Sequence, residues 1–389
     1  MNPLPQAGAS FVDLAGMVSI NTGMETGIKP DAIYLTLAST MRQQITDRTY
    51  RPGDMIASEH ELARREKVSR VTVRRASDVL IQEGLVERRP GKGLFVCAKE
   101  ALPRTLTIQV VAGNLAWEPC LQAARGIQTA AREQRAQVQL HDAHGNEAED
   151  IELIRRLPDG GAHGAVIVAL HSTAFVEALY GLKVRNFPFV LVDQRLRDLE
   201  VPSVMADNHG GGYALGKHLV DLGHRRVAFV GDLIADTVQS RLLGLRDAFG
   251  DAGLPFDRSL VVDLKPASRL DDWTPQVIAQ ATPLLTRADR PTAIFASCDA
   301  VARAVYHAAQ AQGLNVPRDL SVTGFDDDPL ASLLTPPLTT VRQPFAEMGR
   351  EAFVLLHNSI RNREAPAEHR QLAVQPIFRA STGAPRGAA

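Results

Sequence analysis

Cysteine is scarce in this 389-residue chain: Cys97, Cys120 and Cys298 are too few and too scattered for a disulfide framework, and no pair has metal-ligand spacing. A reducing compartment is expected. Long apolar runs are missing too, the longest, such as 165–170 and 188–192, falling far short of the about 18 residues that span a bilayer. No membrane partner is expected. The first thirty residues lack a basic start followed by a continuous apolar segment, so they do not read as a secretory leader, and the expected location is cytoplasmic. Charge of one sign is also lacking: 43 Lys and Arg against 44 Asp and Glu leave -1, so no global positive field marks the whole chain for nucleic acid. Any such signal has to be local.

What is present excludes whole-chain disorder, because 45% hydrophobic residues over this length can bury two or three cores. Residues 1–30 are a loose mixture of Gly, Pro, Ser and small apolar residues without a period, and they read as a disordered extension. The charge is segregated. Residues 33–99 hold thirteen Lys and Arg against eight Asp and Glu, a net +5 that leaves -6 for the rest of a chain whose total is -1. In that segment Tyr34, Leu37 or Ala38, Met41 and Ile45 recur at helical spacing up to about residue 48, and Pro52-Gly53 breaks the pattern. Ser58 followed by Glu61 predicts a capping box opening a short helix over 59–66. Ser69 predicts the cap of a third helix with Val73, Ala76 and Leu80 on its buried face, Arg74 and Arg75 facing away, and Gly84 closing it. Two short helices separated by Lys67-Val68-Ser69, the second bearing arginines, have the layout of a helix-turn-helix. Residues 85–88 and 94–96 predict two short strands around Pro90-Gly91-Lys92-Gly93, which adds a wing.

This head resembles the DNA-binding domain of the GntR family. The resemblance rests on PGD at 52–54, EHELA at 59–63, VSRVTVRRA at 68–76 and EGLVERRPGKGLFV at 83–96, with their spacings together. It implies double-stranded operator DNA as a partner, with Arg70, Thr72 and Arg74 reaching base edges or phosphates in the major groove and Gly91 with Lys92 approaching the minor groove. Ser58, Ser69 and Arg75 complete the DNA-facing set with His60, which stands where the family commonly has Arg and so bears on operator preference. Arginine suits guanine because its fork donates two parallel hydrogen bonds. Arg88, Arg89 and Lys92 read as phosphate contacts, which dominate such interfaces. The bland alternative is a solvated basic surface.

From residue 105 onward short apolar runs alternate with helical patterns. The candidate strands are 106–112, 137–141, 165–169, 187–193, 225–230, 259–263, 292–297 and 321–325, with helices such as 209–222, 240–252, 273–288 and 299–312. Such alternation predicts parallel sheets covered on both faces, and the length predicts two lobes. Ligands of open parallel sheets sit beyond the carboxyl ends of the strands. Asp193, Cys298 and Asp326 fall there, and Arg241 is expected at a helix start after 231–238. Two carboxylates and a guanidinium can bind vicinal hydroxyls, and either of the chain's two tryptophans, Trp117 and Trp273, each following a strand, can pack on the C–H face of a sugar. Each has a structural alternative: turn-capping aspartates, an exposed helix-start arginine, tryptophans in a lobe core and a small buried cysteine. Asp299 is expected to N-cap its helix rather than bind.

The stretches VDQR at 192–195, SRLLGLRDAF at 240–249, PTAIFASCDA at 291–300 and SVTGFDDDPLASLLTPPLTTVRQP at 321–344 resemble the effector domain of LacI-family repressors. The resemblance implies a two-lobed periplasmic-binding-protein-like fold in which Asp193, Arg241, Trp273, Cys298 and Asp326 contact the effector and Trp117 lies near a pocket-lining stretch. Cys298 departs from the Asn or Asp usual there. The fold expected is therefore α/β, an N-terminal winged helix-turn-helix joined to a two-lobed domain of parallel sheets. The expected boundaries are 1–30 extension, 31–98 head, 99–104 linker, 105–382 effector-binding and dimerisation domain, and 383–389 tail.

The hybrid resembles arabinose-responsive repressors of mixed architecture, which implies a homodimer whose operator binding is relieved by a small effector, a sugar first and a purine second. No cofactor, metal or catalytic residue is expected. His141 and His144 lack a third ligand, Gly210-Gly211-Gly212 lacks dinucleotide-loop spacing and reads as packing or turn glycines, and Asp326-Asp327-Asp328 has no adjacent nucleophile. Two other classes are weighed: a cytoplasmic sugar- or purine-binding protein whose basic head docks a protein partner, and an enzyme acting on a nucleoside or sugar, which no nucleophile or base pair supports.

Overall fold

Apolar residues at helical spacing build the head around one core. The computed structural model describes residues 30–47, 49–89, 92–97, 105–143, 147–169, 175–196, 199–265, 273–363 and 366–386, and the chain divides into two units, Met1–Arg104 and Thr105–Ala389. The expected extension up to residue 29, the linker over 99–104 and the last three residues lie outside the described residues. The first unit contains α1 (Pro30–Thr46), β1 (Met55–Ala57), α2 (Glu59–Arg65), α3 (Arg70–Gln82), β2 (Val86–Arg89) and β3 (Gly93–Val96). Leu37, Ala38 and Met41 of α1 meet Leu62 of α2, Val73, Ala76 and Leu80 of α3, and Leu94 and Val96 of the wing. The Ser58–Glu61 capping box forms in both directions: the Glu61 amide donates to Ser58 Oγ at 3.2 Å and the Ser58 amide to Glu61 Oε2 at 2.9 Å. Ser69 Oγ accepts from the Thr72 amide at 3.1 Å, and Gly84, at φ +70°, carries the chain out of α3 in a conformation that strains any L side chain. The wing has a third strand that the sequence reading lacked. Order β1-β3-β2 places Met55 opposite Phe95, and a three-residue segment is too short to show a period.

The second unit runs β4 (Thr107–Ala112), α4 (Glu118–Glu133), β5 (Gln137–Asp142), α5 (Glu147–Arg156), β6 (Gly164–Val168), α6 (Phe175–Val184), β7 (Phe189–Val192), β8 (Ser203–Ala206), α7 (Asn208–Asp221), β9 (Val227–Gly231), α8 (Asp236–Asp251), β10 (Val261–Asp263), α9 (Trp273–Leu285), β11 (Ala293–Ala296), α10 (Asp299–Ala311), β12 (Ser321–Thr323), β13 (Thr340–Arg342), α11 (Phe345–Arg361), β14 (His369–Leu372) and β15 (Gln375–Ile377). Two parallel sheets result, ordered β14-β8-β7-β6-β4-β5 and β10-β9-β11-β12. GAVIV of β6 and FVLV of β7 are buried at every position because helices cover both faces, whereas QVQLHD of the edge strand β5 is largely open. Each lobe has an apolar core on either side of its sheet.

The chain passes between lobes three times: at Asp207 between β8 and α7, at Gln343-Pro344 between β13 and α11, and between β14 and β15. Gln371 Nε2 donates to Asp207 Oδ1 at 2.9 Å and the Asp207 amide to Leu372 O at 2.8 Å, tying two crossings together. The expected strand list omitted β8, β13, β14 and β15. HRQL of β14 and QPI of β15 hold their places through partners distant in sequence, β8 and β13, which no local pattern displays.

Candidate functional site

Arg241 sits at the centre of the polar residues beyond the strand ends. It does not start its helix as expected: α8 begins at Asp236, so Arg241 lies in the second turn and is 4% exposed, which disposes of the exposed helix-start alternative. Its Nε donates to Asn208 Oδ1 at 2.8 Å and its Nη1 to Ser297 O at 2.6 Å, while the guanidinium lies over the Phe325 ring, 3.9 Å from the centroid. Close helix packing puts it there. A Cβ on Gly212 would lie 2.3 Å from Arg241 O, and one on Gly244 would lie 2.2 Å from His209 O, so glycine lets α7 and α8 touch along their backbones. For Gly212 this is the packing role, one of the two that the sequence allowed to Gly210-Gly211-Gly212.

Asp193 and Asp326 both follow strand ends in left-handed backbone, at φ 57° and 118°, a strained conformation that clusters at functional sites. Asp193 is 8% exposed and its Oδ1 has no hydrogen-bond partner. Burial pushes its carboxyl up to about 7; Arg241 opposes the shift and the charge of Asp326 adds to it. Asp326 Oδ1 accepts from Gln343 Nε2 at 2.7 Å and lies 3.8 Å from Arg241 Nη1, and burial raises this carboxyl to about 6 against both partners. Two carboxylates thus share one guanidinium.

Cys298 is half-buried at the N-cap position of α10 and makes no side-chain cap bond; burial pushes its thiol up to about 12, so it is neutral. Asp299 does not cap the helix as expected. It is buried, accepting from Thr340 Oγ1 at 2.6 Å and from the Asp328 amide at 2.8 Å, which pins the 326–328 loop to β13. Trp117 is half-buried at the N-cap of α4 and packs on the first lobe's core. Trp273 opens α9, but its side chain lies outside the described residues, as do Gly91 and His144. His141 is half-buried, its Nε2 unpartnered, and burial lowers its pKa. No group of three metal-ligating side chains occurs among the described residues. The sequence reading missed Asn208, Gln343 and Gln194, whose buried amide has neither atom bonded. Only tertiary contacts single them out.

The raised Asp193 carboxyl gives a stability prediction. An unfolded Asp titrates near ~3.9, so between there and about 7 the folded state holds a proton that the unfolded chain has released. That contribution is fully present below the unfolded value and is lost as pH rises through about 7. Melting of the wild type relative to Asp193→Asn should therefore lose ground from pH 5 to pH 8, by an amount on the order of a few kcal/mol; parallel pH profiles for the two proteins would contradict it.

On the head, Arg70 and Arg74 are exposed along α3 and make no ion pair among the described residues, as is also true of Lys92 on the wing. His60 and Ser69 are exposed, Ser58 and Thr72 half-buried, and Ser69 Oγ and Thr72 Oγ1 share a 2.8 Å hydrogen bond. Arg75 is exposed with its guanidinium 6.0 Å from the Tyr34 ring centroid. Arg88 pairs with Glu59 and Asp78, each at 3.0 Å, and Arg89 pairs with Glu87 at 2.6 Å and covers Phe95, so both already have internal partners. Val71, 66% exposed at the start of α3, is an apolar side chain that the sequence reading passed over.

A helix-turn-helix head and a two-lobed α/β unit with a buried polar cluster beyond its strand ends define a DNA-binding regulator class. Residues 33–96 match the gntR family of bacterial regulatory proteins, and residues 217–382 match the periplasmic binding protein-like domain. The chain is 29% identical over 338 residues to the arabinose metabolism transcriptional repressor of Geobacillus stearothermophilus, covering 85% of this chain and 92% of the relative. It is 32% identical over 253 residues to the HTH-type transcriptional regulator MalR of Streptomyces coelicolor, covering 62% of this chain and 70% of the relative. Among solved structures it is similar to the transcription regulator CcpA of Lactococcus lactis (26% identity, 72% of this chain and 100% of that chain, TM-score 0.64). It is also similar to a LacI family regulator from Enterococcus faecium with bound ribose (28%, 72% and 99%, TM-score 0.59). The chain belongs to the HTH-type transcriptional regulators, with a gntR-type head on a LacI-type, periplasmic-binding-protein-like domain. No helix among the described residues is long and apolar enough to cross a membrane.

Proposed function

We propose that this regulator is a cytoplasmic repressor that holds an operator as a homodimer and releases it when a small sugar-like effector enters the cleft. The observation that carries the effector reading is the buried Asp193 carboxylate with an unbonded oxygen beside the Arg241–Asp326 pair, since a buried acceptor without a partner costs stability that a ligand hydroxyl would restore. Asp193 and Asp326 accept from hydroxyls, Arg241 donates and holds both carboxylates, and Trp117 or Trp273 packs on the C–H face of the ring. Cys298 borders the pocket as a neutral thiol. The names of relatives point the same way: arabinose and ribose operon repressors match the chain, and a regulator solved as a cellobiose complex covers 90% of it.

The DNA-reading set is Arg70, Thr72 and Arg74 for the major groove, Gly91 and Lys92 for the minor groove, and Ser58, His60, Ser69 and Arg75 for phosphates or groove edges. The reader spans 31–98, a link 99–104, and the sensor 105–382. An effector alters DNA affinity only by favouring one of two conformations of the sensor, with a coupling of about 1–3 kcal/mol. No step of this scheme needs catalysis.

The test is fluorescence anisotropy of the full chain on an operator found by in vitro selection, titrated with pentoses and hexoses that raise its melting temperature. At least a fivefold loss of operator affinity is expected at saturation. A sugar that binds and leaves DNA affinity unchanged or higher overturns effector-relieved repression.

A further inference from the structure

The charge and hydrogen-bond inventory of the cleft narrows the chemistry of its occupant. Among the described residues, the unbonded buried atoms near Arg241 include the acceptors Asp193 Oδ1 and Gln343 Oε1, whose amide nitrogen is committed to Asp326, and both atoms of the neutral Gln194 amide. The charged donors are largely engaged. Arg241 uses Nε on Asn208 and Nη1 on Ser297 O, with Asp326 3.8 Å from the same Nη1, and one face of its guanidinium lies on Phe325, so one nitrogen of each two-nitrogen edge is already used and Nη2 is left to donate to a hydroxyl. Two further arginines, Arg342 and Arg379, are engaged as well, both pairing with Asp327, at 2.7 and 2.6 Å. Asp299, buried behind the 326–328 loop, adds a third carboxylate whose partners are neutral donors. Three buried carboxylates therefore stand against one buried guanidinium, each of whose two-nitrogen edges is already partly used.

We infer that the cleft selects uncharged, hydroxyl-rich ligands and excludes their anionic counterparts, the sugar acids and sugar phosphates. This rests on the effector reading above and specifies the class of ligand. Two hydroxyls of one ring can donate, one to Asp193 Oδ1 and one to Gln343 Oε1, without adding charge, whereas an anion entering the same space meets carboxylate oxygens across a poorly solvated gap with no wholly free guanidinium fork to receive it. A neutral sugar and its acid differ little in shape, so the discrimination comes from charge.

The experiment is isothermal titration calorimetry of the full chain at pH 8 with matched sets: neutral pentoses and hexoses, the corresponding uronic acids and the corresponding phosphate esters. For the sugar that binds best, the acid and the phosphate are expected to bind at least 100-fold more weakly. Asp193→Asn, which keeps shape and removes one charge, is expected to shrink that ratio to below tenfold even if it weakens the neutral sugar. Asp326→Asn is the second variant should the first not fold, with the same expected direction. An acid or phosphate that binds the wild type as tightly as its neutral parent, or a ratio unchanged in the folded variants, overturns the charge inference and leaves the effector reading standing. If no neutral sugar, acid or phosphate binds at all, the sugar-effector reading falls and this inference falls with it.

Discussion

Arg241→Ala is expected to abolish the effector response and to destabilise the sensor by about 3–5 kcal/mol, the range for removing one partner from a buried charge pair. The residue is 4% exposed, so no water replaces the side chain readily. Its loss leaves Asn208 Oδ1 and Ser297 O without their donor and removes the positive charge that opposes the raised Asp193 and Asp326 carboxyls. Those carboxylates then protonate or repel, and the acceptors offered to a ligand disappear with them. Operator affinity of the ligand-free variant should persist, because the head folds around its own core. Arg241→Lys separates charge from geometry: an ammonium restores the positive charge but not both the Asn208 and Ser297 bonds in one plane, so partial recovery of stability with a weak effector response is expected. Melting temperature and operator anisotropy with and without the bound sugar read both effects. Retention of the wild-type response in a folded Arg241→Ala protein would remove Arg241 from the mechanism.

Arg74→Ala is expected to lower operator affinity by about 1–3 kcal/mol, roughly five- to 150-fold, and to relax the preference at a single base pair, the signature of a lost bidentate contact. Arg74 is exposed on α3 and has no ion pair to break among the described residues. Arg88→Ala is the contrast. Its guanidinium is already held by Glu59 and Asp78, so contacting a phosphate would first cost those pairs, and a much smaller loss is expected. Sugar affinity should be unchanged in both. A uniform loss over all sequences for Arg74→Ala, with a reduced salt slope, would make that residue a phosphate contact instead.

Much of the head was legible because its signals are local. Capping residues act on amides two or three positions away, so Ser58-Glu61 and Ser69 announced their helices without outside help. The parallel strands β6 and β7 were legible for a similar reason, since burial on both faces demands unbroken apolar runs. Strand ends could also be located, which brought Asp193, Cys298 and Asp326 to notice before any contact was known. The start of α8 was misjudged because Ala235, its N-cap, offers no side-chain capping bond to signal the boundary. Asp299 was misread as a cap because its actual partners, Thr340 and Asp328, lie 41 and 29 positions away.

The sequence by itself determined the alternation of strands and helices, the segregation of positive charge onto a helix-turn-helix and the residue types waiting beyond the strand ends, because these depend on neighbours within one or two turns of chain. Tertiary structure alone decided that β14 joins the first sheet, that Arg241 is buried rather than exposed, that Arg88 and Arg89 are already paired, and that Asn208 and Gln343 bond to Arg241 and Asp326. Those outcomes depend on which distant segments share a low-dielectric space, where an unpaired charge or unbonded oxygen acquires its cost and its use.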